Sequence, residues 1–270
     1  RTMSVANVKI IEHSVNKNGI EIVTFQLRYW RAIHAELMTH RVFSRNASSS
    51  RAIPVKTVLK QVWNEPAGPI HWGANQPGMQ ANEQLSGWKN KAAQFLWNMA
   101  AKAACVIAYL MMQIGLHKQV ANRILEPFQF ISVVLTTTEL DNWFELRNHE
   151  DAQPEIKDLA RRMLLALAQS RPVILKWGEW HLPYVDRFDK SIHAIDKLLK
   201  ISAARCARVS YLTHEGKAPS VENDIKLFDR LVGSKPFHAS PTEHQATPAD
   251  DESFHKNFRG WVQFREHLGM

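Results

Sequence analysis

Apolar and polar residues alternate over residues 8–11 and 21–27, the two-residue period of strands with one buried face. Asn16-Lys17-Asn18-Gly19 between them supplies a turn. The period then lengthens, and residues 31–38 read as helix. Residues 90–115 carry an Ala, Met, Leu and Trp pattern with few breakers, which predicts a long, deeply buried helix ended by Gly115. A short helix over 117–125 is stopped by Pro127. The apolar run 128–135 suits either a strand or a buried helix. Thr138 is placed to N-cap a helix over 139–147, and Pro154 to take the first position of one running to Ala168. Residues 190–207 and 221–231 read as two more helices. Residues 65–88, rich in Pro, Gly, Asn and Gln, form a loop of a length usually tied to function or mobility. No repeat and no linker interrupts the chain, so residues 1–270 read as a single domain.

Composition narrows the class. With 45% hydrophobic and 22% charged residues the chain is an ordinary soluble globular protein. A net charge of +8 favours anionic partners without choosing between nucleotide, nucleic acid and membrane surface. Its basic residues are spread along the whole length, which argues against a nucleic-acid stripe. Cys105 and Cys206 form no CxxC pair, so a disulfide scaffold and a zinc ribbon are excluded; two buried thiols in a reducing cytoplasm are expected. The longest uncharged apolar run, 103–116, is shorter than a bilayer span, and no membrane partner is expected.

The chemistry concentrates in Thr39-His40-Arg41-Val42-Phe43-Ser44-Arg45-Asn46-Ala47-Ser48-Ser49-Ser50-Arg51. This acid-free stretch holds three guanidinium groups, an imidazole, five hydroxyls and a carboxamide, a donor set suited to phosphate oxygens. Two further arginines, Arg123 and Arg147, stand among apolar residues, where a guanidinium needs an anionic or carbonyl partner. An internal salt bridge of either to Glu139 or Glu155 is the plain alternative. His238 and His244 could suggest a metal pair, but their spacing is not that of a zinc helix and Pro241 lies between them, so no metal is expected.

The pattern His-Arg-x-x-Ser-x-Asn-x-x-Ser-x-Arg from His40 to Arg51 resembles the signature of the flavin-dependent thymidylate synthases, Arg-His-Arg-x-x-Ser-x-Asn-x-x-Ser-x-Arg. Asn142 to Arg147 with Ala152-Gln153-Pro154-Glu155-Ile156 resembles that family's Asn-x-x-x-Leu-Arg and Ala-Gln-x-Glu-Ile block, and Arg123 to Pro127 its Arg-x-x-x-Pro element. Ala207-Arg208-Val209-Ser210 and His238-Ala239-Ser240-Pro241-Thr242-Glu243-His244 resemble the elements Ala-Arg-Val-Ser and His-x-Ser-Pro-Phe-Glu-His. In the family both precede the arginine signature; here both follow it, which reads as a circular permutation, with 201–248 matching the usual N-terminal segment.

The resemblance implies an α+β fold, a small antiparallel sheet flanked by long helices, assembled as a homotetramer with sites between subunits. It implies reductive C5 methylation of dUMP to dTMP, with methylenetetrahydrofolate as carbon donor and FAD, reduced by NADPH, as hydride carrier. It assigns catalysis to Arg147, flavin contacts to His40, Arg41, Asn142, Ser210, His238 and Ser240, and nucleotide contacts to Ser48, Ser49, Ser50, Arg51, Arg123 and Arg147. Thr39 departs from the family's Arg, Ala47 from its frequent acid, and Thr136 and Thr138 from its Asn and Arg. A different uracil nucleotide such as UMP is the nearest enzymatic alternative. A single-stranded nucleic-acid binder using Trp30, Trp63 and Trp72 is the non-enzymatic one.

Overall fold

The computed structural model describes residues 5–210, 220–233 and 235–270. Its strands are β1 Asn7–Val15, β2 Glu21–Trp30, β3 Ser44–Ala47, β4 Phe130–Thr137, β5 Val173–Ile174, β6 Ala246–Pro248, β7 Phe254–His255, β8 Phe258–Arg259 and β9 Trp261–Gln263. The helices are α1 His34–Leu37, α2 Val55–Asn64, α3 Gly87–Gln113, α4 Lys118–Ala121, α5 Asp141–Arg147, α6 Pro154–Ala168, α7 Arg187–Ile192, α8 Ile195–Ala207, α9 Val221–Val232 and α10 Phe264–His267.

The main sheet runs β3-β4-β2-β1-β5, antiparallel except where the two residues of β5 join β1 in parallel. It is small and flanked by helices, as expected, but mixed rather than wholly antiparallel. Strand period dictates its two faces. Val23, Phe25, Leu27 and Tyr29 of β2 and Ile131, Val133 and Leu135 of β4 point one way, onto Trp143 of α5 and Ile156, Leu159, Ala160 and Met163 of α6. The described residues of 176–270 cover the opposite face with α8, α9 and the short sheets. There Trp261 donates through Nε1 to Ile20 O at 3.1 Å, and Asn16 through Nδ2 to Gly260 O at 2.9 Å. Gly260, at φ 69°, is required: a Cβ would stand 2.6 Å from Ile20 Cδ1.

Several expectations are corrected. The long helix forms, with Gly115 at φ 82° past its end, but it is not deeply buried. Its small face, Ala101, Cys105 and Ala108, packs on Val58 and Val62 of α2, and Trp97 on Phe128, while Phe95, Leu96, Met99, Ile107 and Leu110 are exposed. An all-round apolar helix predicts burial, yet one amphipathic partner covers only one side of it. Because the helix begins at Gly87, it is long and apolar enough to cross a membrane by length and composition, unlike the shorter run 103–116.

The helix expected over 190–207 breaks at His193-Ala194. Asp186 and Asp189 close a capping box around α7, and Asp189 is held by Arg205. Thr138 does not cap α5. Thr137 Oγ1 instead accepts from Glu139 N at 3.0 Å, and Thr138 Oγ1 from Arg259 N at 3.0 Å. Leu140 stands at the cap position. The run 128–135 resolves as a 3₁₀ turn, Asn122–Phe128, followed by β4.

Acid should unfold this protein through its buried histidines. Burial, then Arg31 and Arg45, lowers the His34 pKa to about 4. Burial alone takes His244 to about 3 and leads the causes that hold His181 far below its ordinary value. The unfolded chain takes up these protons near pH ~6.5 and the folded chain does not, so stability is complete above that value and falls as pH drops toward 4. The thermal midpoint is expected to be level from about pH 8 to 7 and to decline steadily below about 6.5. A midpoint unchanged at pH ~5 would mean these histidines ionise freely in the native state.

Candidate functional site

The signature is split among a turn, a strand and a loop. Residues 38–43 turn back after α1, and Ser44–Ala47 pair with β4 as β3, Ser44 opposite Thr136 and Ala47 opposite Val133. This edge strand was not visible in the pattern, because only Val42 and Phe43 are apolar. Phe43 anchors the turn, stacked on His40 at 5.5 Å and edge-on to Trp143 at 5.6 Å.

That packing places His40 beside the end of α5. Arg147 donates through Nε to His40 Nε2 at 3.1 Å and through Nη2 to Thr39 Oγ1 at 3.3 Å, and its Nη1 pairs with Glu36. The partner is therefore Glu36, not Glu139, which holds Arg259, or Glu155, which accepts from Ile70 N. As His40 Nε2 accepts, its proton resides on Nδ1. Burial first, then Arg147 and Arg45, keeps the His40 pKa below its ordinary value, so the ring is neutral. Thr39, in place of the family's Arg, donates to Glu36 O at 2.7 Å and closes the same group. Arg45 donates to His40 O at 2.7 Å.

Glu36 faces a cleft of about 740 Å³ between the 69–82 part of the Pro/Gly-rich loop and residues 150–155, with Trp30 in its wall. The loop is docked there by Gln80 Nε2 on Asp151 O at 3.0 Å and Ile70 N on Glu155 Oε1 at 2.9 Å. Loop composition announced a special segment but not its resting place.

The serines gather elsewhere in the chain. Ser48 accepts through Oγ from Ser132 N at 3.1 Å. Ser50 is buried and donates to Glu126 Oε1 at 2.5 Å, and Arg123 donates to the same oxygen at 2.9 Å. Ser49 supports the turn by accepting from Ala52 N at 3.0 Å. Among the described residues none of these, nor Arg51 or Asn142, hydrogen-bonds or ion-pairs with Arg147. Arg41, Arg51 and Asn142 are exposed, and Arg41 and Arg51 have neither ion pair nor hydrogen bond among the described residues.

The far end of the chain meets the signature. The 3₁₀ turn Ser240–Glu243 lies on β3. Asn46, with its amide oriented by its neighbours, donates to Ser240 Oγ at 3.1 Å. Gln263 Nε2 bridges Ser44 Oγ at 2.9 Å and Glu243 O at 3.0 Å. Deeper in, a buried polar chain crosses the layers: Ser14 Oγ to His181 Nδ1, His181 Nε2 to Thr24 Oγ1, Thr24 to Thr136 Oγ1, and Thr136 to His244 Nδ1, all within 2.9 Å. Thr136, a departure from the family, is thus matched by His244. His238 is exposed whereas His244 is buried, and no metal cluster occurs among the described residues. Arg208 is held by buried Asp224 at 2.9 Å, and the Ser210 side chain lies outside the described residues.

The sequence model described as Thy1, thymidylate synthase complementing protein, matches residues 9–173, more than half of the chain. Among solved structures, the chain is similar to a UMP/dUMP methylase, PolB, from Streptomyces cacaoi bound with 5-Br UMP, at TM-score 0.53 and 17% identity, covering 63% of this chain and 91% of that one. The same methylase bound with 5-Br dUMP gives TM-score 0.52 and 15% identity, covering 64% and 92%. At these identities the likeness shows the fold. Among curated proteins none matches the sequence.

Thr136→Val tests the polar chain. It keeps the shape but leaves Thr24 and His244 Nδ1 short of a buried partner, which is expected to cost about 1–3 kcal/mol in urea unfolding. A loss below about 0.5 kcal/mol would show that the chain contributes little to the joining of the layers.

Proposed function

We propose that this chain, which belongs to the thymidylate synthase complementing protein family, is a methyltransferase acting at C5 of a uracil nucleotide, dUMP first. The observation that carries the reading is the setting of Arg147. A guanidinium from α5 is fixed on three sides by Glu36, Thr39 and His40, the last from the very signature that resembles the family's. Methylation at C5 needs electron density at that carbon. A cation held against the pyrimidine oxygens stabilises the charge that develops there, most strongly where water is excluded. Arg147 is the residue for that role, and neutral His40 holds its Nε in place.

The donor set also suits FAD, methylenetetrahydrofolate and NADPH as partners in this chemistry. Arg41 and Arg51 are exposed guanidinium groups without carboxylate partners among the described residues, the state in which they can take a pyrophosphate or nucleotide phosphate. His40, Arg41, Asn142, Ser210, His238 and Ser240 would hold the flavin, whose chemistry when bound is hydride delivery. Ser48, Ser49, Ser50, Arg51 and Arg123 would hold the nucleotide. Buried Cys206, its thiol pushed up by desolvation, is unsuited to act as a nucleophile.

The separation of the serine group from Arg147 supports the expected homotetramer, in which one site draws on several subunits. So does the apolar outer face of α3, where each exposed Leu or Phe is worth about 1.5–3 kcal/mol on burial. The nucleic-acid reading finds less support. Trp30 and Trp72 pack edge-on against Trp97 instead of offering free stacking faces.

Two measurements test this reading. Tritium release from C5-labelled dUMP and UMP, with FAD uptake followed in the visible spectrum, should show turnover of dUMP that Arg147→Ala abolishes while some flavin binding survives. Activity confined to UMP would overturn the substrate, and normal turnover by the variant would overturn the role of Arg147. In analytical ultracentrifugation the wild type is expected to sediment as a tetramer and Ile107→Lys/Leu110→Lys as a smaller species. A wild-type monomer would remove the oligomer.

A further inference from the structure

Glu126 occupies the place an anion would take. Its Oε1 accepts from Ser50 Oγ at 2.5 Å and from Arg123 Nη1 at 2.9 Å, and lies 3.4 Å from Arg31 Nη2. Three donors from three separate stretches thus converge on one carboxylate oxygen. Their positions are locked through the backbone. Asn122 donates to Ser50 O at 2.7 Å and to Ile53 O at 2.9 Å, tying the serine loop to the turn that carries Arg123. Arg31 N donates to Gln129 O at 3.0 Å, tying the third donor to the same turn. The group grades from buried Ser50 through partly covered Arg31 and Glu126 to Arg123, whose side chain is 52% exposed, so it opens to solvent on the Arg123 side. Two guanidinium groups face one carboxylate, which leaves a surplus positive charge.

We propose that Ser50, Arg31 and Arg123 form an oxoanion cradle whose resident occupant is the Glu126 carboxylate, and that a terminal phosphate enters by displacing it. The proposal rests on the nucleotide reading above and adds Arg31 and Glu126 to it. A phosphomonoester at pH ~8 is a dianion with three terminal oxygens. Against the same donors it gains over a carboxylate, which has one charge and two oxygens. A phosphodiester or another monoanion only exchanges like for like, and a nucleoside leaves Glu126 where it is. The resident carboxylate therefore sets a charge threshold, selecting a terminal phosphate over diesters and nucleosides. Glu126 itself touches no reacting atom on this reading.

Calorimetric titration at pH ~8 and low salt tests this with dUMP, its 5′-methyl diester, deoxyuridine and inorganic phosphate. Glu126→Gln is expected to bind dUMP and inorganic phosphate about tenfold more tightly, with deoxyuridine unchanged. Arg31→Gln is expected to weaken dUMP about tenfold, again with deoxyuridine unchanged. The wild type should prefer dUMP to the diester. If Glu126 merely holds the two arginines in place, Glu126→Gln would bind dUMP equally or less tightly, and the proposal fails. Should that variant not fold, Arg31→Gln decides, since unchanged dUMP affinity overturns the cradle. If Glu126→Gln takes up inorganic phosphate more tightly but no form binds dUMP, the cradle stands and the nucleotide reading falls. If no form takes up either ligand, the cradle falls too.

Discussion

Pairing of β2 with β4, residue for residue from Val23 against Thr137 to Trp30 against Phe130, is the constraint on which the rest of the molecule depends. Side chains alternate along a strand, so one register decides both layers at once. It sends Phe25, Leu27, Ile131 and Leu135 to α5 and α6, and Thr24, Val134 and Thr136 to the C-terminal layer. A slip of one residue would put threonines against Trp143 and leucines against His181 and His244. The register also seats β3 on the far edge of β4, and with it the signature.

The C-terminal layer returns the chain to the sheet, with the turn 240–243 on β3 and His244 on Thr136. Residues 174–270 lie beyond the stretch matched by the family, yet they are not an appendage. They cover a sheet face that would otherwise expose Ile20, Ile22 and Val134, and they bring Ser240 to Asn46 and His244 to Thr136. Chain order is immaterial to such packing, which needs only that the pieces arrive on the right face. The interface is polar at its centre, with Ser44, Gln263, Gln245, Ser202, Thr24 and both histidines hydrogen-bonded. Polar groups buried in this way tolerate one arrangement and penalise others, so the layer is aligned as well as attached.

Legibility in the sequence followed the strength of local signals. The two N-terminal strands, α6 behind Pro154, and α9 carry clean periods and were readable. Helix α2 carries its pattern in Pro54 followed by Val55, Val58 and Val62, a signal too short to stand out beside the signature. Strand β3 was hidden because a polar edge strand has no apolar period to show. For α3 the reading of its length was close and that of its burial wrong, since composition reveals that a surface is apolar but not what covers it. At the site, motif residues pointed to Arg147 and His40. Nothing local indicated Glu36 as the carboxylate that holds Arg147, because that pairing joins residues far apart in sequence.

The fate of the arginines explains why a strongly basic chain reads as a site rather than a diffuse surface. Arg28, Arg147, Arg205, Arg208, Arg259 and Arg265 are each met by a carboxylate, at Glu65, Glu36, Asp189 with Asp224, Asp224, Glu139 and Glu243. These guanidinium groups are committed to the fold, and their charge is neutralised where it stands. Within the signature, Arg41 and Arg51 have no such partner among the described residues, while Arg45 turns inward to His40 O. The segment thus has one inward arginine that shapes the turn, flanked by two exposed ones. Net charge alone could not locate that division. A guanidinium already met by a carboxylate adds little to the outer field, and one left unpaired adds its full charge.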